Sequence, residues 1–246
     1  MIYKEHPKYA PSKIKLVDHV NLYRIYPGIY AVAVIHDFIR SRIFLRCQEF
    51  YESSSSDIHR KPFTWDQYIE FYKKKTGNKR FTYHSDFVGY NVPSNIIKQC
   101  YQDIPDPNVF DEIFGDINQS IQINQKGRYY IIGIDGVESD DKYLIHHEFA
   151  HGLYHVNKPY KKRVDTLIRS IPIDIRDKFN EKLTRLGYSE SVFDDEMQAY
   201  MSTELVWGMN RIPGVVEHSK RFEENFKKYV GLINPERIEV TYGNLS

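Results

Sequence analysis

Cysteine is nearly absent from the 246-residue chain: there are two, Cys47 and Cys100. Two thiols allow one bridge at most, too few for a disulfide-stapled scaffold, and they have no metal-binding spacing. A reducing compartment fits that usage. Long apolar runs are also missing. The most apolar stretch, 29–35, leads straight into His36 and Asp37 and falls far short of the length that spans a bilayer. Residues 1–7 are polar and lack the apolar core of a secretory signal. A soluble protein is expected, cytoplasmic or secreted by an unconventional route without a cleaved signal, with no membrane partner. Charge of one sign is lacking as well. With 34 Lys and Arg against 33 Asp and Glu, the net charge is +1, which gives no general attraction to nucleic acid. The basic runs Lys73-Lys74-Lys75 with Lys79-Arg80, and Lys158 with Lys161-Lys162-Arg163, read as solvated faces. Beside a cleft, the second run would favour acidic substrates. No repeat recurs at solenoid spacing.

What the chain does have is aromatic mass, 20 Tyr and 14 Phe, within a composition that is 41% hydrophobic. That supports a substantial core, in one large domain or two small ones, and tyrosine suits its wet edges. Prolines 7, 11 and 27 make residues 1–27 look irregular. From Gly28 to about Glu52 the apolar residues recur at helical spacing and predict one long helix, with arginines 40, 42 and 46 at its other positions. Ser53 to Ser56 reads as a loop. Thr64-Trp65-Asp66-Gln67 has the form of a capping box that opens a helix ending near Gly77. Residues 81–92 are aromatic and β-prone, Ser94 would cap a short helix to Tyr101, and 108–121 is a further helix. Gly127 to Ile134 is the clearest strand, and Ser139 or Asp140 would cap the helix after it. Asn157 and Pro159 would end that helix, with 158–163 as a link. Helices are predicted over 174–186, 191–207 and 215–229, and a last strand over 238–242. The fold class expected is α+β, mainly helical, with a small sheet. A boundary near residue 105 would separate an N-terminal helical region of unknown role, 1–105, from a catalytic part, 106–246, unless the two form one continuous domain.

The helix after residue 140 carries the chemistry. His147-Glu148-Phe149-Ala150-His151 is a His-Glu-x-x-His motif. Histidines four residues apart on a helix stand one turn above each other on one face, so both imidazoles can close on one cation, and neutral imidazole suits zinc. Glu148, one residue past the first histidine, points partly round the helix, where it can take a proton from a water at the metal's open position. A third protein ligand is needed. In a continuous helix His155 would lie about 12 Å along the axis from His147, and His146 would point about 100° away, so geometry disfavours both. Glu196 is better placed, in the first turns of a helix after Gly187-Tyr188-Ser189, with small Ala199 three positions on to let two helices approach. Asp195 and Glu204 are substitutes. Asp194 or Asp195 could instead orient a ligand histidine.

His147-Glu148-x-x-His151 with a downstream helical Glu196 resembles the gluzincin group of zinc metallopeptidases, and the wide gap before Glu196 is most similar to the lethal-factor-like toxin peptidases. The likeness spans residues 127–232 at the level of element order. It implies a zincin-like catalytic part with the sheet packed on the motif helix, and Zn2+ held by His147, His151 and Glu196. It also implies a tyrosine ahead of the glutamate helix at the active site, for which Tyr188 is the match. Residues 1–105 carry no such resemblance, and the third motif histidine of the metzincins is absent. The expected activity is that of a zinc-dependent metallopeptidase, an endopeptidase, acting on a peptide or protein substrate with Glu148 as general base. Tyr188, or another tyrosine such as Tyr200, would hydrogen-bond the oxyanion, and the strand 128–134 would offer an edge to an extended substrate. Two other readings stand beside it. One is a non-enzymatic, vestigial site in a protein that binds a partner through its aromatic N-terminal half. The other is a zinc hydrolase acting on a different amide or ester.

Overall fold

A computed structural model describes residues 6–137, 142–206 and 208–243. Residues 1–27, expected to be irregular, contain a short helix, α1 (Lys13–Val17), and a strand, β1 (Asn21–Tyr26). The prolines punctuate that segment without emptying it of structure: Leu22 and Ile25 are buried, with Tyr23 and Arg24 more exposed between them. Gly28 turns the chain at φ 81°, a conformation that glycine adopts without steric cost. β2 (Ile29–Ala33) then returns antiparallel to β1. The long helix predicted from Gly28 therefore begins only at Asp37, as α2 (Asp37–Glu52). Every residue of β2 is buried, and a strand covered on both faces shows no alternation to separate it from a helix.

α3 (Trp65–Thr76) follows, with the reciprocal Thr64–Gln67 capping box and Gly77 in the left-handed conformation at its end. The β-prone stretch 81–92 splits into a single helical turn, α4 (Tyr83–Asp86), and a strand, β3 (Tyr90–Pro93). Ser94 does not cap α5 (Ser94–Tyr101). It sits inside the first turn, and its hydroxyl accepts the Tyr129 N–H at 3.2 Å. α6 (Val109–Asn124) is capped by Asn108, and β4 is Tyr130–Ile134. The motif helix is α7 (Lys142–Val156); the expected caps Ser139 and Asp140 lie outside the described residues. The predicted link 158–163 is helical, part of α8 (Lys158–Arg169). Asn157 caps it through the Tyr160 N–H at 2.9 Å, and Pro159 occupies the first turn, where no N–H is needed. α9 (Ile173–Leu186), α10 (Phe193–Ser202), α11 (Val215–Val230) and β5 (Glu236–Ile238) complete the chain. α10 stops short of the predicted 207, a residue outside the description, and β5 ends at 238, where the predicted strand begins, so that 239–242 form no strand.

The fold is α+β and mainly helical, around one mixed sheet of order β3-β4-β2-β1-β5. β2 and β4 are parallel, and the other neighbours are antiparallel. Strands from both sides of residue 105 therefore hydrogen-bond in the same sheet, and each half of the chain completes the other's. Successive residues of β2 point to opposite faces: Tyr30 and Val32 enter a core built with α2, α3, α5 and α6, while Ile29, Ala31 and Ala33 enter one built with α7 to α11. The first core accounts for much of the aromatic mass, with Phe44, Trp65, Tyr68, Phe81, Tyr83 and Phe114 all buried in it. The arginines of α2 are buried too. Arg46 donates to Asp111 at 2.9 and 3.1 Å and to the Phe63 carbonyl at 2.6 Å. α7 lies flat on the second face through Phe149, Ala150 and Leu153. A Cβ on Gly152 would come within 2.8 Å of Ile29, so glycine is what lets this helix settle onto β2. No helix among the described residues is long and apolar enough to cross a membrane.

Candidate metal centre

α7 and α10 bring the site together. His147 and His151, one turn apart on α7, place their Nε2 atoms 3.3 Å from each other. Glu196, in the first turn of α10, brings Oε1 to 3.7 Å from His151 Nε2. All three side chains are buried, and one ligand atom from each lies within 4.8 Å of the others, so the group could hold a metal ion. Ala199 is fully buried where α10 meets α7.

The far nitrogens of both imidazoles are held. His151 Nδ1 pairs with Asp195 Oδ1 at 2.9 Å, and Gln198 Nε2 donates to the same oxygen at 3.1 Å. His147 Nδ1 stands 3.4 Å from Thr203 Oγ1, whose own hydrogen goes to the Ala199 carbonyl at 2.7 Å. The hydroxyl and the carboxylate therefore accept, and each Nδ1 donates. Each Nε2 is left with a lone pair facing the other, an arrangement that needs a proton or a cation between them. In the metal-free protein a proton serves. Burial works to lower His151, but the Asp195 and Glu196 carboxylates outweigh it and hold it well above the usual histidine range. Burial, reinforced by His151, holds His147 well below that range. A metal fits the same gap: two atoms about 2.0–2.1 Å from one ion at the tetrahedral angle stand about 3.3 Å apart.

No family model, curated protein or solved structure matches this chain. What the site can do rests on its own geometry.

Glu148 lies beside the histidine pair. It is buried, its Oε2 has no hydrogen-bond partner, and with His147 it lines a cleft of about 720 Å³. A Cβ on Gly89, the residue before β3, would run into Glu148 Oε1 and come within 2.5 Å of Leu144 Cδ1, so only glycine leaves the carboxylate its place. Burial pushes Glu148 up to about 7, against the pull of His151 and of a hydrogen bond with Asn91. Asn91, on β3, accepts the Tyr130 hydroxyl at 2.6 Å and is held through its backbone N–H by Gln48 Oε1 at 2.9 Å. Burial also pushes Glu196 up, to about 8, and its Oε2 is likewise unpartnered. Two buried carboxylate oxygens thus stand without a protein partner beside two facing imidazoles, a donor set that could hold a metal ion.

Tyr188 reaches the same cleft. Gly187, at φ 95°, ends α9, and the next residues are pinned to the end of α2 by a bridge to Ser53 and by the Ser189 N–H donating to the Glu52 carbonyl at 3.1 Å. The Tyr188 hydroxyl lies 3.2 Å from that of Tyr200, whose ring centroid is 4.6 Å from that of His147. Burial pushes both phenols up. His155 packs against Tyr130 with ring centroids 5.3 Å apart, burial pushes it down to about 4, and it stays outside the cluster. His146 faces Phe226, and Glu204 is exposed. Of the two aspartates weighed, Asp195 is the one that meets a histidine.

Two expectations are corrected. The strand 128–134 offers no edge, because β4 is paired on both sides. β3 ends the sheet on that side, but it is no open edge either: all four of its residues are buried, Gln48 Oε1 takes the Asn91 N–H at 2.9 Å, and Pro93 has no N–H to give. The basic run 158–163 stays away from the cleft, whereas Lys75 of the other run reaches its rim. Sequence reasoning also missed a whole wall of the cleft: Gln48, Glu49 and Glu52, from the last turns of α2. Their signal was three polar side chains crowded onto an otherwise buried helix end.

Proposed function

We propose that this chain is a zinc-dependent metallopeptidase, an endopeptidase, with a zincin-like catalytic part. The observation that carries the reading is the pair of Nε2 lone pairs 3.3 Å apart, with the Glu196 carboxylate converging on them and the unpartnered Glu148 alongside. His147, His151 and Glu196 would hold the metal, two imidazoles and a carboxylate being a donor set that suits zinc with a place left open. Bound there, zinc would polarise the scissile carbonyl and make water a nucleophile near neutral pH.

The chain's own residues do the rest. Glu148, with its carboxyl at about 7, can accept a proton from water and deliver it to the leaving amine. Asn91 steadies that carboxylate, while Asp195 and Thr203 keep the two imidazoles turned inward. Tyr188 and Tyr200, kept protonated by burial, can donate to an oxyanion.

Elemental analysis of purified wild type and Glu196→Ala, with a peptide-library digest by wild type and Glu148→Gln, tests the reading. About one zinc per chain is expected, lost in Glu196→Ala. Cleavage should disappear in Glu148→Gln while zinc stays. Zinc bound by wild type with no peptide cleaved would favour a binding protein that keeps the site without the reaction.

A further inference from the structure

The wall that α2 gives to the cleft has no part in the chemistry above. Glu49 and Glu52 both line it, and they are only 8% and 9% exposed. Glu52 accepts a hydrogen bond from Gln48 Nε2, and Glu49 has the hydroxyls of Tyr68 and Tyr83 for company. These contacts hold both side chains in place, while burial pushes both carboxyls up, Glu52 well above the usual carboxylate range against the pull of His151. Among the described residues neither glutamate sits in an ion pair. The positive charge that acts on Glu49 comes from Lys75, an exposed side chain at the rim.

Buried carboxyl groups outside any ion pair are rare, and the desolvation of their charged form is recovered only when a cation comes close. The rest of the cleft says what kind of cation. Phe87, Val88 and Leu186 are exposed apolar side chains that line the same space. They suit an aliphatic stem with a charged head, the build of lysine and arginine. A volume of about 720 Å³ admits such a side chain together with its backbone. Glu148, 5% exposed with Oε2 unpartnered, faces into this space as well, a separate sign that the cleft is built around a ligand.

We propose that Glu49 and Glu52 form the acidic end of a subsite that selects a basic side chain, lysine or arginine, in the substrate peptide. The inference rests on the peptidase reading and names the substrate class for it. It also gives the N-terminal half a function, since α2 supplies the selecting residues.

The test uses peptides that carry lysine at each position around the cut, against the same peptides with norleucine, which keeps the stem and drops the charge. At one position, kcat/KM should favour lysine by at least about tenfold in zinc-loaded wild type. The ratio should fall to about twofold or less in the Glu49→Gln, Glu52→Gln double variant, and Glu49→Lys should shift preference toward an acidic residue. A lysine preference that survives the double variant overturns the inference. So does wild-type cleavage that ignores the charge, which leaves the peptidase reading intact. No cleavage of any peptide by zinc-loaded wild type removes the peptidase reading and this inference together. Should the double variant lose its zinc or its fold, by elemental analysis and circular dichroism, Glu49→Gln alone must still lower the ratio.

Discussion

Replacing Glu148 with glutamine removes one ionisation and almost no volume, and it should do two things at once. Hydrolysis should be lost, because an amide cannot accept the proton, while zinc remains, because Glu148 is not among the converging ligand atoms. The metal-free fold should also become more stable at alkaline pH. Burial raises the folded-state carboxyl from 4.5 to about 7, so between those values the folded chain binds more protons than the unfolded one. Stability contributed by this group is fully present below pH 4.5 and is lost as pH rises through 7. The gap from 4.5 to about 7 corresponds to about 3 kcal/mol, an upper figure because the carboxyl borders a cleft open to solvent. Glutamine carries no such penalty. At pH 8 the metal-free variant should therefore exceed wild type by up to about 3 kcal/mol, roughly 6–12 °C in Tm for a chain of this length. At pH 5 the gain should shrink to about 1 kcal/mol or less. Thermal unfolding followed by circular dichroism at the two pH values, on chelator-treated protein, measures both. Equal gaps at pH 5 and pH 8 would refute the claim that this carboxyl is buried and strained, and cleavage at the wild-type rate would refute its role as the base.

Asp195→Asn should weaken zinc binding by about 10- to 100-fold without abolishing it, since the carboxylate holds His151 and is not itself a ligand; competition with a chelator reads this directly. Gly89→Ala should lower kcat on the order of a hundredfold with zinc content unchanged, because the added methyl takes the position of Glu148 Oε1. A variant with full activity would place the base elsewhere. Arg46→Ala should destabilise the fold by about 3–5 kcal/mol, because Asp111 would be left buried and unpaired; the midpoint of denaturant unfolding measures it, and a change within experimental error would show that the pair is dispensable.

Much of the helical content can be read from the chain. The capping box at Thr64 and the apolar spacing of α6, α9 and α11 place those helices within a few residues, because caps and periodicity act locally. Ile29–Ala33 is apolar at every position and buried on both faces, so nothing in its pattern distinguishes strand from helix until the partner strands are known. Prolines 7, 11 and 27 make Asn21–Tyr26 look irregular, and it becomes a strand by pairing with β2 and with β5, a short neighbour from the far end of the chain. Pro159 looks like a helix terminator and serves as a helix starter, since proline is compatible with a first turn.

The sequence by itself determined the local chemistry of this protein. His147, Glu148 and His151 stand where they do because four residues make about one helical turn, whatever surrounds them. Tertiary structure decided everything that acts across distance: that Glu196, and neither Asp195 nor Glu204, joins the two histidines, and that Asp195 and Thr203 hold the far nitrogens of the imidazoles. It also decided that α2, far away in sequence, walls the cleft with Glu49 and Glu52. Spacing along a helix is a property of neighbours in the chain, whereas convergence, burial and the charge shifts that follow exist only once remote segments share one sheet and close around a common space.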